Sequence, residues 1–180
     1  VVTNQDLTKV MDTSDEWITQ RTGIRERHIV DPGVATSDLA VEAAKLAIQR
    51  AGLTPPDIDF IVVGTTTPDM IFPSTACIVQ HKIGATNAWG FDLFAACSGF
   101  TYSVTTAAQM VATGASKHAL VIGADVMSSI IDYTDRTTCV IFGDGAGAAV
   151  VEASGESDIG IIDFENYIDG SGGEALCMPA

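Results

Sequence analysis

Trp89-Gly-Phe-Asp-Leu-Phe-Ala-Ala-Cys-Ser-Gly-Phe100 is the stretch on which the reading of this chain turns. A β-type run ends in two alanines, a cysteine and a small polar pair follow, and a helical stretch begins. The pattern predicts a strand over Ala88 to Phe94 and a helix over Ser98 to Thr113, with Cys97 at the junction. A helix N-terminus presents unpaired amide N–H groups and the positive end of the helix dipole, and both favour an anion. A thiolate, the reactive form of cysteine, is such an anion. A small buried cysteine packing a helix start fits the same local sequence, so both roles stand open for Cys97 at this point.

Outward from that junction, helix and strand patterns alternate. Ile58 to Gly64 is an apolar, β-branched run that predicts a buried strand. Pro73-Ser74 opens a helix to about Lys82 that ends near Gly84. Further upstream, Ser37 can cap a helix whose apolar positions are Leu39, Ala40, Ala43, Ala44, Ala47 and Ile48, with Gly52 as its stop and Pro55-Pro56 blocking continuation. Thr13-Ser-Asp-Glu16 reads as a capping box that opens a short helix through Thr22, ended by Gly23. Downstream, Ala119 to Gly123 predicts another buried strand, and Asp125 to Thr137 a loop with some helical character. Val140 to Phe142, Ala148 to Glu152 and Ile159 to Phe164 are β-type, and Asp169-Gly-Ser-Gly-Gly173 is a loop. This order predicts an α/β layered fold over residues 1–180, with a mostly parallel central sheet flanked by helices. Glycines in Phe142-Gly-Asp-Gly-Ala-Gly-Ala-Ala-Val150 do not match G-x-G-x-x-G, and a β-branched run follows where a helix should open. A tight turn passing close to the cysteine loop is expected there instead of a dinucleotide site.

Composition narrows the function. The net charge of −14 argues against nucleic acid and anionic membrane as partners, since both need a basic surface. No apolar run is long enough to span a bilayer, and Val1 to Asp6 lacks the pattern of a signal peptide. Cys77, Cys97, Cys139 and Cys177 are widely spaced with no C-x-x-C pair, which argues against a disulfide scaffold or a metal site and fits a reducing cytoplasm.

Four segments together resemble the β-ketoacyl-[acyl carrier protein] synthase III enzymes of the thiolase superfamily. They are Thr13-Ser-Asp-Glu-Trp-Ile-Thr-Gln-Arg-Thr-Gly-Ile-Arg-Glu-Arg-His28, Phe91-Asp-Leu-Phe-Ala-Ala-Cys-Ser-Gly-Phe-Thr-Tyr102, Thr134-Asp-Arg136 and Ile141-Phe-Gly-Asp-Gly-Ala-Gly-Ala-Ala149. The resemblance runs nearly end to end. It implies the first half of the family's layered α-β-α-β-α thiolase-like fold. It also implies the initiating condensing enzyme of type II fatty acid synthesis, a cytoplasmic homodimer that needs no cofactor. Cys97 would accept an acyl group from a short acyl-CoA, and malonyl-acyl carrier protein would then condense with it by loss of CO₂. Trp17 and Arg136 match the positions that sandwich the CoA adenine, and Arg21 one that addresses phosphate or pantetheine. Thr13 is either the helix cap or an adenine contact. Without the resemblance, Trp17 reads as a core anchor and Arg136 as a loop ion pair with Asp132 or Asp135. Phe72 corresponds to a residue that reaches across the dimer interface, or packs in the core beside Pro73, and Met127 and Phe142 fall near positions that shape the acyl pocket.

The resemblance also implies what to look for elsewhere. Family members are longer chains built from two similar halves, with the catalytic His and Asn in the second. His28, His81 and His118 match neither, and surface or structural roles are expected for all three. The family's opening strand is not matched either. A first half alone is therefore expected to be poorly stable and to accept an acyl group without completing the condensation. It is expected to bind CoA thioesters weakly and carrier protein not measurably, because the docking surface in relatives lies mainly in the second half. Other readings are a hydroxymethylglutaryl-CoA synthase-like or long-chain acyl condensing enzyme, a cysteine hydrolase, and a non-catalytic dimer partner. Cys97 and its small neighbours argue against the last, and no convincing water-activating base supports the hydrolase.

Overall fold

The computed structural model describes residues 1–156 and 159–178. In chain order its elements are β1 (Val2–Thr3), α1 (Asn4–Leu7), α2 (Asp15–Thr22), β2 (Glu26–Arg27), α3 (Thr36–Arg50), β3 (Phe60–Gly64), α4 (Thr75–Ile83), β4 (Trp89–Leu93), α5 (Gly99–Ala112), β5 (His118–Val126) and β6 (Asp144–Glu152). The central sheet has the order β4-β3-β5-β6. Strand β3 is parallel to both β4 and β5, and β6 is antiparallel to β5. Parallel neighbours need a crossover, and α4 and α5 supply the two. The sheet is thus mixed and mostly parallel, as its sequence pattern predicts.

Alternation along β3 and β5 divides the core. Ile61, Val63, Leu120 and Ile122 face Ala40, Ala44, Ile48, Val79 and Ile83 of α3 and α4. Phe60, Val62, Ala119 and Val121 face Ala107, Val104 and Val111 of α5. Successive side chains of a strand point to opposite faces, so a strand covered on both sides reads as one continuous apolar run. Each such Val or Ile contributes about 1.5–3 kcal/mol by leaving water. A third cluster of Leu7, Ile18, Cys139 and Val140, with Trp17 and Met11 against it, joins the N-terminal helices to the segment before β6.

Several local expectations are corrected by the backbone. The cap of α2 is Ser14, whose hydroxyl accepts from the Trp17 N–H at 3.0 Å, so Thr13 and Glu16 form no capping box. Helix α3 starts one residue before Ser37, and Asp69 accepts from the Ser37 N–H at 2.8 Å. Val140 to Phe142 is a turn, because Arg27 and the third cluster hold it away from any sheet edge. Ile159 to Phe164 forms no strand and is exposed. The strand expected over Ala148 to Glu152 is present but begins earlier, so the glycines expected to turn lie within it: Asp144–Glu152 is β6, paired with β5 from His118↔Glu152 to Val126↔Asp144. Elements too short for a periodic signal, β1, α1 and β2, were not legible in the sequence.

Candidate active site

Because β3, β4 and β5 are parallel, their C-terminal ends gather at one end of the sheet, the usual ligand side of an open α/β sheet. Cys97 sits there, in a single 3-10 turn (Ala96–Ser98) between β4 and α5. The residue before it, Ala96, has φ 45°, the left-handed region that a side chain disfavours by about 1–2 kcal/mol. The turn is held from below by backbone packing. A Cβ on Gly64 would lie 2.7 Å from the carbonyl carbon of Gly99 and 2.9 Å from its oxygen, so the end of β3 and the start of α5 meet with no space for a side chain.

Cys97 is exposed and lines an open cleft of about 570 Å³ with Gly64, Ala96, Phe100, Asp125 and Met127. The far wall is the start of β6, from Gly143 to Gly147, with Ile141, Arg27 and His28 beside it. Gly145, Ala146 and Gly147 leave that wall without bulk, which accounts for small residues in a strand. Two carboxylates brace the walls. Asp125 Oδ1 accepts from the N–H groups of Thr66 and Thr67 at 2.8 and 3.1 Å and from the Thr67 hydroxyl at 2.9 Å. Asp144 accepts from the Ser128 N–H at 2.8 Å, the Ser128 hydroxyl at 2.6 Å and the Val30 N–H at 2.9 Å. Arg27 is buried, and its Nη2 donates to Asn4 Oδ1 at 2.8 Å and to the Val140 carbonyl at 3.1 Å. Burial pushes its guanidinium below the ordinary range.

A second cluster forms around Trp17. The Arg21 guanidinium lies 4.4 Å from the centroid of its ring and that of Arg136 5.2 Å. Arg136 Nη1 donates to the Asp12 carbonyl at 2.6 Å and pairs with the Asp12 carboxylate at 3.6 Å, not with Asp132 or Asp135. Those two are turned onto Thr134 and Thr138. The Thr13 hydroxyl is buried without a hydrogen-bond partner. None of these residues lines the Cys97 cleft; Ile24, Glu26, Arg27 and His28, which follow α2, do.

The remaining candidates separate. Met127 is in the cleft, whereas Phe142 is half-buried and its neighbours Ile141 and Gly143 line the wall. Phe72 is 82% exposed on a tip with Met70 and Ile71, outside the core. Cys139 is buried, and burial, then the nearby Asp135 charge, pushes its thiol up. His28, read from the sequence as surface or structural, is on the cleft wall. Asp125 and Asp144 were not singled out, yet each carried a signal: a lone carboxylate closing an apolar strand, and one inside a glycine-rich run. Among the described residues, no group of His, Cys, Asp and Glu is placed to hold a metal ion, and no helix is long and apolar enough to cross a membrane.

A mixed sheet with helices on both faces and a thiol at the C-terminal end of its parallel strands defines the class: the fold is thiolase-like. Residues 91–170 match the family model of 3-oxoacyl-[acyl-carrier-protein] synthase III. A β-ketoacyl-[acyl-carrier-protein] synthase III of Solibacter usitatus is 62% identical over the whole chain, which covers 55% of that relative. The corresponding protein of Koribacter versatilis is 57% identical over 99% of the chain and 54% of its own length. Among solved structures, the synthase III of Thermus thermophilus superposes with a TM-score of 0.93 at 40% identity, covering 99% of this chain and 55% of that one. The chain is similar over its whole length to the N-terminal half of β-ketoacyl-[acyl-carrier-protein] synthase III proteins. It spans about half the length of the curated relatives it matches.

Proposed function

We propose that the chain carries the acyl-accepting nucleophile of the condensing enzyme that initiates type II fatty acid synthesis in the cytoplasm. The observation that carries this reading is the placement of Cys97: exposed at the mouth of a cleft, on a turn fixed by the Gly64–Gly99 contact, in the family's cysteine segment. The Cys97 thiolate attacks the thioester carbonyl of a short acyl-CoA. The bond to the CoA sulfur breaks, and CoA leaves as a thiolate that takes up a proton. Covalent catalysis divides the transfer into two easier steps, so one cleft serves two substrates in turn. The backbone N–H of Cys97 is the candidate donor to the oxyanion. In the second step malonyl-acyl carrier protein loses CO₂ and its enolate carbon attacks the acyl-cysteine carbonyl. The bond to sulfur breaks and the Cys97 thiolate returns. By the family resemblance, the His and Asn that stabilise the enolate belong to the half of those proteins this chain does not span. No step requires a cofactor.

Trp17, Arg21 and Arg136 supply the CoA site in this reading. An adenine between Trp17 and Arg136 takes the place of the present guanidinium–indole contact, and Arg136 gives up Asp12 to admit it. The buried Thr13 hydroxyl has no hydrogen-bond partner among the described residues. Strand β4 is one edge of the sheet and exposes Trp89 and Phe91, and the tip with Phe72 is also exposed. These apolar features support a homodimer of the full protein.

The test is intact-mass and peptide analysis after incubation with acetyl-CoA. One acetyl group is expected on Cys97 and none in Cys97→Ser. An unmodified Cys97 in the full-length protein would overturn the reading.

A further inference from the structure

The glycine-rich motif that begins β6 contains one charged residue, Asp144, which the acyl-transfer chemistry leaves unused. Its carboxylate ties two distant segments, the Ser128 turn and the stretch at Val30, to the start of β6. It holds Ser128 at both the backbone and the hydroxyl, at 2.8 and 2.6 Å, and the Val30 N–H at 2.9 Å. Its own N–H donates to the His28 carbonyl at 2.8 Å. Ser128 is the middle residue of the 3-10 turn Met127–Ser129, and Met127 faces the same cleft as Cys97. On the other flank, Met127 Sδ lies 3.9 Å from the Thr66 hydroxyl, which Asp125 anchors at 3.0 Å. Met127 is therefore held between two carboxylate-fixed segments, and an unbranched thioether on a turn keeps one position only while the turn does.

We infer that Asp144 is a positioning residue for acyl-chain selection: by clamping the Met127 turn it fixes how deep the pocket beyond Cys97 is, and so how long an acyl group the thiol accepts. This rests on the proposed loading of Cys97 and adds to it which residue sets the length limit. A carboxylate suits the role because all three groups facing it donate. An amide at the same position keeps one acceptor and turns an N–H₂ toward another donor.

The experiment is a competition in the full-length protein with acetyl-, butyryl- and hexanoyl-CoA, read as adducts on Cys97 by mass spectrometry. In Asp144→Asn the ratio of hexanoyl to acetyl adduct should rise about tenfold over the parent, on the order of the discrimination one or two methylenes give in an apolar pocket. Met127→Ala should show a similar rise. In the Met127→Ala background, Asp144→Asn should change the ratio no further, because the carboxylate acts through that side chain. Ser128→Ala, which keeps the backbone contact and loses only the hydroxyl, should give a smaller shift in the same direction and provides the readout if Asp144→Asn fails to fold. An unchanged ratio in Asp144→Asn and Ser128→Ala overturns the inference while acetyl loading of the parent stands. Additive shifts in the double variant also overturn it, since they would mean a route independent of Met127. No adduct of any length on the parent overturns the loading reading, and this inference with it.

Discussion

The two walls of the cleft are built by different physics. On the Cys97 wall, the thiol is placed by contact between backbones: Gly64 against Gly99, with no side chain between them. On the Met127 wall, segments distant in sequence are tied by polar groups: Asp144 to Ser128 and Val30, Asp125 to Thr66 and Thr67, Arg27 to Asn4 and Val140. Packed backbone tolerates no added volume and yields all at once, whereas a hydrogen-bonded wall can lose one tie and keep the rest. Under the proposed function, the first arrangement suits a reacting atom whose place is the same for every substrate, and the second a surface that is adjusted to a particular acyl group.

The contrast can be broken most directly at Gly64. Gly64→Ala puts a methyl group into the Gly99 carbonyl, which should cost about 2–3 kcal/mol in urea unfolding and slow adduct formation equally for every acyl length. A length-dependent effect would erase the distinction between the walls. Next in size, Arg27→Met leaves the Val140 carbonyl and Asn4 Oδ1 without their donor, and should lower stability by about 2 kcal/mol by thermal unfolding. Here the length preference should change along with stability. Trp17→Ala, outside both walls, should weaken CoA binding about tenfold by calorimetry, equivalent to about 1.4 kcal/mol. Adduct formation at saturating acetyl-CoA should be little altered.

The smallest effect is a control at the other end of the sheet. Burial pushes the Asp59 carboxyl up, but hydrogen bonds from the Ser116 hydroxyl and the Lys117 and His118 N–H groups outweigh it and hold the group below its ordinary value. A carboxylate with a lowered folded-state pKa stabilises fully above its unfolded value, about 3.9, and the contribution is lost as pH falls through the folded value. Asp59→Asn should therefore cost about 1 kcal/mol at pH 7. The gap to the parent should close as unfolding is measured at successively lower pH below about 4. Acyl preference should not move, because this carboxylate clamps nothing in the cleft.

How much of this was legible in the sequence follows the same division. Strand β3 and the centre of β5, Ala119 to Gly123, are continuous apolar runs, Ser74 and Gly84 mark the ends of α4, and Cys97 announces itself between two alanines and Ser98-Gly99. These are local signals. The Met127 wall depends on pairings such as Val30 with Asp144 and Arg27 with Val140, which no short window contains. Reading the first half of β6 as a turn has the same source: its glycines look like punctuation, and pairing to β5 across nine positions keeps them extended, whereas Ala148 to Glu152 was legible as a strand. Ile159 to Phe164 misled in the opposite direction, since an apolar stretch becomes a strand only where a sheet edge receives it.

The backbone at Ala96 has a consequence for rate. Glycine would adopt a φ of 45° at little cost, yet the position holds a residue with a Cβ. That Cβ raises the energy of the turn and also removes most of the neighbouring conformations a glycine could visit. Fewer backbone conformations at Ala96 leave fewer positions for the sulfur one residue later. If Cys97 is loaded as proposed, attack on the thioester depends on the effective molarity of the thiol, and a misplacement of about 1 Å can lower the rate on the order of a hundredfold. On that reading, a strained alanine before the cysteine exchanges folding free energy for local concentration of the thiol.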